Sequence, residues 1–147
     1  MKIPHLCIPL IAILLFGCTS APEKLGADAV LPPCGALPNC VNSHSGEGGS
    51  AIAPLHATFE QWQELKQWLA TQDDWTINVE EPDFMQAVVK TPLMRFRDDV
   101  QLLYNPQTGV IQVRSSSRLG ISDMGTNRRR VESLRAHLAA ESAVGAP

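Results

Sequence analysis

The chain has 147 residues, a formal net charge of −3, 44% hydrophobic residues and 18% charged residues. This length is enough for one domain with a single hydrophobic core. A mildly acidic chain is a poor general binder of nucleic acid, so we expect no nucleic acid among its partners.

The first residues predict export from the cytoplasm. Lys2 gives a positive start, and the apolar run "CIPLIAILLF" at 7–16 is too short to span a bilayer. Signal peptides contain an apolar stretch of this length, which predicts a signal peptide at 1–17. A retained membrane anchor is the alternative.

The run ends in "LFGCTS", which resembles the lipobox of bacterial lipoproteins. In those proteins the cysteine, here Cys18, is lipidated and becomes the first mature residue. Phe16 is bulkier than the small residue usually found there, and an ordinary secretory signal is the alternative. Several acyl chains on one residue give stable anchoring, so the expected partner is a membrane. Thr19 stands where inner-membrane lipoproteins commonly have aspartate. The resemblance therefore favours the outer membrane, with the protein facing the periplasm.

The remaining chain divides into three parts. Residues 18–33 are polar and contain proline and alanine, which predicts a flexible tether. Residues 34–142 form the predicted domain, and 143–147 the disordered tail. In an exported protein, the "CGALPNC" pair Cys34 and Cys40 predicts one disulfide closing a small loop. Free thiols and a metal site are the alternatives, and we expect neither a metal nor a cofactor.

Two amphipathic helices enclose a run of strands. In "TFEQWQELKQWLATQ", Thr58 and Gln61 fit a capping box, and Trp62 and Leu69 fall on one side. We interpret Trp62 and Trp68 as packing residues, with a ligand-stacking platform as the alternative. The segment "NRRRVESLRAHLAAES" predicts the second helix. Four segments between them, "WTINVEE", "FMQAVVKT", "DDVQLLYN" and "VIQVRSSSR", predict strands.

This order predicts an α+β fold. We expect two layers, in which a four-stranded antiparallel meander is covered on one face by two helices. The segment "VNSHSGEGGSAIAPL" is expected to be an exposed loop. In the last hairpin, matching the apolar positions of the two strands pairs Tyr104 with Ile111 and Leu102 with Val113.

That register brings opposite charges together on the other face of the sheet. It places Asp99 opposite Ser116 and diagonal to both Arg114 and Arg118. Diagonal neighbours lie roughly 7–8 Å apart, within reach of an arginine side chain. The hairpin therefore predicts an Arg–Asp–Arg cluster.

Three arginines, Arg128 to Arg130, lie at the start of the second helix, where the helix dipole disfavours cations. Two explanations are open. They form ion pairs with Asp98, Asp99, Asp123 and Glu132, or they surround an anion at the helix N-terminus, where Ser122, Asp123, Thr126 and Asn127 are possible caps. The candidate binding residues, for an anionic ligand or an envelope protein, are Asp99, Arg114, Arg118, Ser122, Asn127, Arg128, Arg129 and Arg130.

A non-enzymatic binding or structural module of the cell envelope is the favoured function. The alternative is a hydrolase or transferase using Asp98, Asp99 and the segment 115–117. No histidine belongs to a recognisable catalytic motif, and adjacent aspartates on a strand point to opposite faces. Convergence of the arginines and Asp99 around one open concavity would favour binding, and a closed network a structural role.

The motifs "PPCGALPNCVNS", "FRDDVQLL" and "VIQVRSSSRLGISDMGTNRRRVESLR" resemble the domain of unknown function family 1499. Its members are mostly small bacterial exported proteins or lipoproteins, and the resemblance covers about 32–139. This chain departs from the family pattern with Ser116 in place of alanine, Gln101 in place of the usual acid, and a longer "HSGEGGS" loop. The resemblance implies a family but no activity.

Overall fold

The computed structural model describes residues 30–144. The expected signal peptide, the expected lipidation site Cys18, most of the expected tether and the last three residues lie outside this range.

The described chain forms a sheet and two helices. The strands are β1 (Cys40–Asn42), β2 (Leu55–His56), β3 (Trp75–Glu80), β4 (Phe84–Lys90), β5 (Arg97–Asn105) and β6 (Val110–Ser117), and the helices are α1 (Phe59–Ala70) and α2 (Thr126–Val144). The strand order is β1-β6-β5-β4-β3, β2 also pairs with β6, and all strand pairs are antiparallel. The predicted α+β class and antiparallel sheet are confirmed.

The predicted number of strands was wrong, because the open sheet has six strands rather than four. The two additional strands lie in sequence that we expected to be a disulfide motif and an exposed loop. β1 has three residues and β2 has two, too few for an alternating pattern to be visible. Both form because β6 offers them a free edge, where Cys40 pairs with Ser116 and Leu55 with Ile111.

Both helices cover the same side of the sheet, which we call the core face. The register of β5 and β6 is the predicted one, with Tyr104 opposite Ile111 and Leu102 opposite Val113. The buried core joins this face to both helices and includes Trp62, Leu65, Leu69, Val100, Leu102, Tyr104, Ile111, Val113, Val131, Leu134 and Leu138. The opposite side of β4, β5 and β6 is the open face.

The predicted capping box begins α1. Thr58 Oγ1 accepts a hydrogen bond from Gln61 N, and the Gln61 side chain accepts one from Thr58 N. Trp62 is fully buried, stacks on Tyr104 and donates from Nε1 to the carbonyl of Pro82 at 2.7 Å. Trp68 stacks on His137, with 4.0 Å between ring centroids. Both tryptophans therefore pack within the domain.

The ordered structure extends beyond the expected domain boundaries at both ends. Leu31 is buried, and Asn42 Nδ2 donates to the carbonyl of Pro32, so the last residues of the expected tether lie against the domain. At the other end, α2 runs to Val144, two residues past the expected boundary.

Candidate functional site

The arginine-rich segment 114–130 covers the end of β6, a connecting loop and the start of α2. Because side chains alternate along a strand, Arg114 and Ser116 lie on the open face, whereas Ser115 and Ser117 lie on the core face. Their partners on β5 follow the same rule, since Asp99 pairs with Ser116 and Asp98 with Ser117. The segment is therefore divided between two sides of the sheet.

On the open face, Asp99 and Arg118 form a two-pronged ion pair. Arg118 donates from Nε and Nη2 to the two carboxylate oxygens, at 2.9 and 2.7 Å. The side chains are 26% and 32% exposed, so water reaches both. Hydrogen bonding to Asp99 raises the pKa of Arg118 above its ordinary value. This half of the predicted Arg–Asp–Arg cluster is present.

Arg114 takes a different partner from the expected one. Its Nη1 lies 3.5 Å from Gln101 Oε1, and Gln101 donates to Gln86 Oε1 at 3.2 Å. Both glutamines are buried, and Arg114 Nε is buried without a hydrogen-bond partner in residues 30–144. Burial lowers the pKa of Arg114, an effect that the nearby Asp99 opposes. Gln101, where the family pattern has an acid, lies directly opposite Arg114.

On the core face, Asp98 and Arg130 form a buried ion pair. Arg130 Nη2 donates to Asp98 Oδ2 at 2.6 Å, and the side chains are 10% and 1% exposed. Arg130 Nη1 also donates to Ser115 Oγ and Asn127 Oδ1, at 2.8 and 2.7 Å. We call these four residues, Asp98, Ser115, Asn127 and Arg130, the buried polar network.

Asn127 extends the buried polar network to the disulfide loop. Its Oδ1 accepts from Ser115 Oγ at 2.6 Å, while its Nδ2 donates to the carbonyl of Asn39 and to Ser117 Oγ. The predicted disulfide between Cys34 and Cys40 is present, with 5.7 Å between the Cα atoms. The buried polar network therefore joins β5, β6, α2 and the disulfide loop.

The start of α2 is capped by Asp123. Its carboxylate accepts from the backbone N–H groups of Gly125 and Asn127, at 3.0 and 2.7 Å. Burial acts to raise the pKa of Asp123, but these hydrogen bonds outweigh it and hold the pKa below its ordinary value of 3.8. A carboxylate of the protein itself therefore occupies the place that the second explanation gave to a bound anion.

Each arginine of the first turn has partners within the protein. Arg128 donates to the carbonyls of Gly49 and Ala51, at 2.9 and 2.7 Å. Arg129 donates to the carbonyl of Met124 and to Thr126 Oγ1. With Arg130 in the buried polar network, these contacts account for the three cations at the unfavourable end of the dipole.

A second arginine of α2 holds the same loop as Arg128 and was not among the predicted residues. Arg135 donates to the carbonyls of Ala53 and Pro54, at 2.8 and 2.7 Å. Arg128 and Arg135 are seven residues apart, or two helical turns, so they lie on one side of α2. The spacing of Arg128 and Arg135 was visible in the sequence. Their partners could not be predicted, because backbone carbonyls carry no sequence signal.

A cleft of about 490 Å³ opens between the disulfide loop, the turn 48–50 and the start of α2. Ser122, Asp123 and Arg128 line one side, and Glu47, Gly49 and Ser50 line the other. This is where predicted binding residues meet a concavity. Sequence reasoning missed the residues 47–50, which we interpreted only as part of an exposed loop.

The predicted residues do not converge on one site. Asp99, Arg114 and Arg118 lie on the open face, Asn127 and Arg130 beneath the core face, and Ser122 and Arg128 at the cleft. The exposed Arg129 lies beside the loop that precedes α2. This distribution resembles a set of structural contacts more than a single binding centre.

Two residues of the catalytic alternative lie in the buried polar network. Ser115 and Asp98 are almost completely buried, and Ser115 already bonds Asn127 and Arg130. In residues 30–144 no histidine side chain hydrogen-bonds a serine. That part of the chain also contains no group of three metal-binding side chains.

The family model described as "Protein of unknown function (DUF1499)" matches residues 30–138. The chain belongs to this family. No curated protein and no solved structure matches the chain. The DUF1499 match spans both faces of the sheet, the disulfide loop and most of α2. Among residues 30–144, no helix is long and apolar enough to cross a membrane.

Proposed function

We propose that this DUF1499 protein is a periplasmic lipoprotein, anchored by acyl chains on Cys18, whose domain is a non-enzymatic binding or structural module of the cell envelope. The "LFGCTS" motif supports the anchor, and Thr19, which follows Cys18, supports the outer membrane. The observation that supports a non-enzymatic domain is the burial of Asp98 and Ser115 inside the buried polar network. These groups hold the fold together and are out of reach of a substrate.

The anchor is tested by metabolic labelling with an alkyne palmitate and by membrane fractionation. We expect the wild-type protein to carry the label and to sediment with outer-membrane markers, and Cys18→Ser to lose both properties. Cys7→Ser is the matched control, because Cys7 leaves with the signal peptide and its loss should change neither. Labelled Cys18→Ser protein, or unlabelled wild type, would contradict the proposal.

The binding surface is the cleft. Of the five predicted arginines, Arg114, Arg118 and Arg130 are directed to other parts of the molecule, which leaves Arg128 and the neighbouring Arg129. Arg128 donates to the loop carbonyls through Nη2 alone, so within the described chain its Nε and Nη1 are left to bind an anionic group on an envelope component. Guanidinium groups bind such anions in pairs of hydrogen bonds.

Purified peptidoglycan is the probe for this surface. The double variant Arg128→Gln and Arg129→Gln should lose binding that Arg118→Gln, on the open face, retains. Unchanged binding by a folded double variant would remove the cleft from consideration.

The alternative, a hydrolase or transferase, needs an accessible carboxylate or hydroxyl. Asp99 is partly exposed, but it is engaged by Arg118. A broad hydrolase substrate screen of the wild type and Asp99→Asn separates the two functions. Turnover in the wild type that disappears in Asp99→Asn at an unchanged melting temperature would support the enzyme.

A further inference from the structure

Six large apolar side chains are exposed at one end of the sheet. Three belong to the β4–β5 connection and three to the β6–α2 connection: Leu93 (90% exposed), Met94 (63%), Phe96 (41%), Leu119 (68%), Ile121 (77%) and Met124 (87%). We call this set the apolar rim. The other exposed large apolar residues in 30–144, Val30, Leu37 and Phe59, do not belong to either connection.

The topology brings the two connections together. β5 and β6 are neighbours, the first connection enters β5 at Arg97, and the second leaves β6 after Ser117. Arg118 N donates to the carbonyl of Arg97 at 3.1 Å, so the two loops start side by side. Exposed apolar residues gathered in this way mark an interaction surface rather than chance exposure.

Cations flank the apolar rim. Arg95 and Arg97 alternate with Met94 and Phe96, and Arg129 follows the second connection. No carboxylate lies within salt-bridge distance of these three arginines in the described chain. Alternating apolar and basic residues fit the boundary between acyl chains and anionic headgroups.

The distribution of acidic residues favours one orientation of the domain on an anionic surface. Glu80, Glu81 and Asp83 lie at the β3–β4 turn, at the opposite end of the sheet from the apolar rim. At the end with the apolar rim, Asp123 is held in its cap, and Asp73 and Asp74 lie just before β3, where the carbonyl of Asp74 accepts a hydrogen bond from Lys90 N at 2.9 Å. Outside the Asp98 and Asp99 ion pairs, the cations Lys90, Arg95, Arg97 and Arg129 outnumber these three acids. An anionic surface therefore attracts the end with the unpaired arginines and repels the other end.

The tether keeps the domain close to a bilayer. This step rests on the proposed lipid at Cys18. Val30 lies twelve positions after Cys18, and a chain of that length spans at most about 40 Å. Pro32, two residues after Val30, is held by the Asn42 side chain of β1, and Asn42 pairs with Arg114 of β6. At such a distance even weak insertion acts at a high effective concentration.

We propose that the apolar rim inserts into the headgroup region of an anionic bilayer and holds this end of the tethered domain against the membrane. The experiment uses the full lipidated chain in vesicles of phosphatidylglycerol and phosphatidylethanolamine. A polarity-sensitive fluorophore is attached at Met94→Cys or Ile121→Cys. The matched control is Gln107→Cys, in the hairpin at the opposite end. The disulfide and the lipid leave the introduced cysteine as the free thiol.

Quenchers in the acyl chains should strongly quench the probes at positions 94 and 121 but not the probe at position 107. Quenching at position 121 should be lost in the double variant Leu93→Glu and Met124→Glu. These exposed substitutions leave the core intact. Vesicles of phosphatidylcholine alone should give less quenching, because the arginines then meet no net negative charge.

The proposal is overturned if the anchored protein shows no quenching at positions 94 and 121, or equal quenching at position 107. Contact of these positions with an envelope protein, seen by cross-linking in place of quenching, would also overturn it. The mass of the protein is measured first. A missing acyl mass contradicts the proposed lipoprotein, whereas an acylated protein with unquenched probes contradicts only the apolar rim.

Discussion

Asp98 and Asp99 are consecutive residues, and each forms an ion pair with an arginine of the same segment. Asp99 makes two hydrogen bonds to Arg118 on the open face, where both side chains meet water. Asp98 makes one to Arg130 beneath the core face, where its side chain is 1% exposed. The better-formed pair is the more exposed one, and its energetic importance is expected to be lower. Burial, rather than hydrogen-bond geometry, determines which of the two the fold depends on.

The largest expected effect comes from Arg130→Met. It leaves the Asp98 carboxylate buried without its cation, which costs about 3–5 kcal/mol of the free energy of unfolding. Urea denaturation measures it. Arg129→Met is the matched control on the exposed side of α2 and should change stability little.

A double variant sharpens this test. Asp98→Leu together with Arg130→Met removes both charges, and should recover most of the stability lost by Arg130→Met alone. A loss below about 1 kcal/mol in Arg130→Met would show that the buried pair is not a determinant of the fold.

A smaller effect is expected at the adjacent serines. Ser115→Ala removes the hydroxyl that bonds Arg130 and Asn127, and should cost about 1–3 kcal/mol, because buried partners lose a hydrogen bond. Ser116→Ala, on the open face, should be nearly neutral. Thermal and urea unfolding of the two variants compare the stability lost by the same substitution on the core face and on the open face. Equal losses would contradict it.

Arg118→Ala should cost about 0–1 kcal/mol, the usual value of a solvent-accessible pair. The loss should shrink as salt is added, because ions screen exposed charges. A double-mutant cycle with Asp99→Asn isolates the pair. A coupling free energy of about 3–5 kcal/mol, the loss expected for Arg130→Met, would mean that water does not reach the Asp99–Arg118 pair.

The smallest effect concerns pH. Asp123 has a lowered pKa, so its hydrogen bonds stabilise the fold fully above its ordinary value of 3.8, and this contribution is lost as the pH falls through the lowered folded-state value. Asp123→Asn keeps a cap but not the charge. The wild type should therefore lose more stability than the variant on acidification below about pH 4. Parallel loss in both proteins would contradict this role.

The sequence predicts the contacts between neighbouring strands better than those between a helix and a strand. Matching apolar positions placed Asp99 opposite Ser116 and within reach of Arg118. It did not identify the partner of Arg130, although Asp98 was one of four candidate acids. A signal existed, because Asp98 shares its face with Val100 and Leu102. An acid in the core set of a strand needs a buried cation, but which helix position supplies it depends on the docking of α2.

Two parts of the fold had weaker signals. β1 and β2 are too short for alternation to appear, and their pairing is determined by the free edge of β6. The cleft depends on Glu47 and Ser50 lying opposite Ser122, which needs the tertiary path of a glycine-rich loop.

Arg128 and Arg135 hold the loop by hydrogen bonds to carbonyls of residues 49–54. These bonds determine where the chain tolerates added residues. Asn42 fixes the other side of the loop through its side-chain contacts with the backbone of His44 and Ser45. Residues added between Ser45 and Gly49 would therefore extend a segment whose two ends are anchored. This segment lies within the longer "HSGEGGS" stretch of this chain, and a Cβ at Gly46 would lie 2.2 Å from the carbonyl oxygen of Asn42, whereas Gly48 and Gly49 have open space around them. A reporter peptide is therefore best inserted between Gly48 and Gly49, where it extends the loop without moving α2.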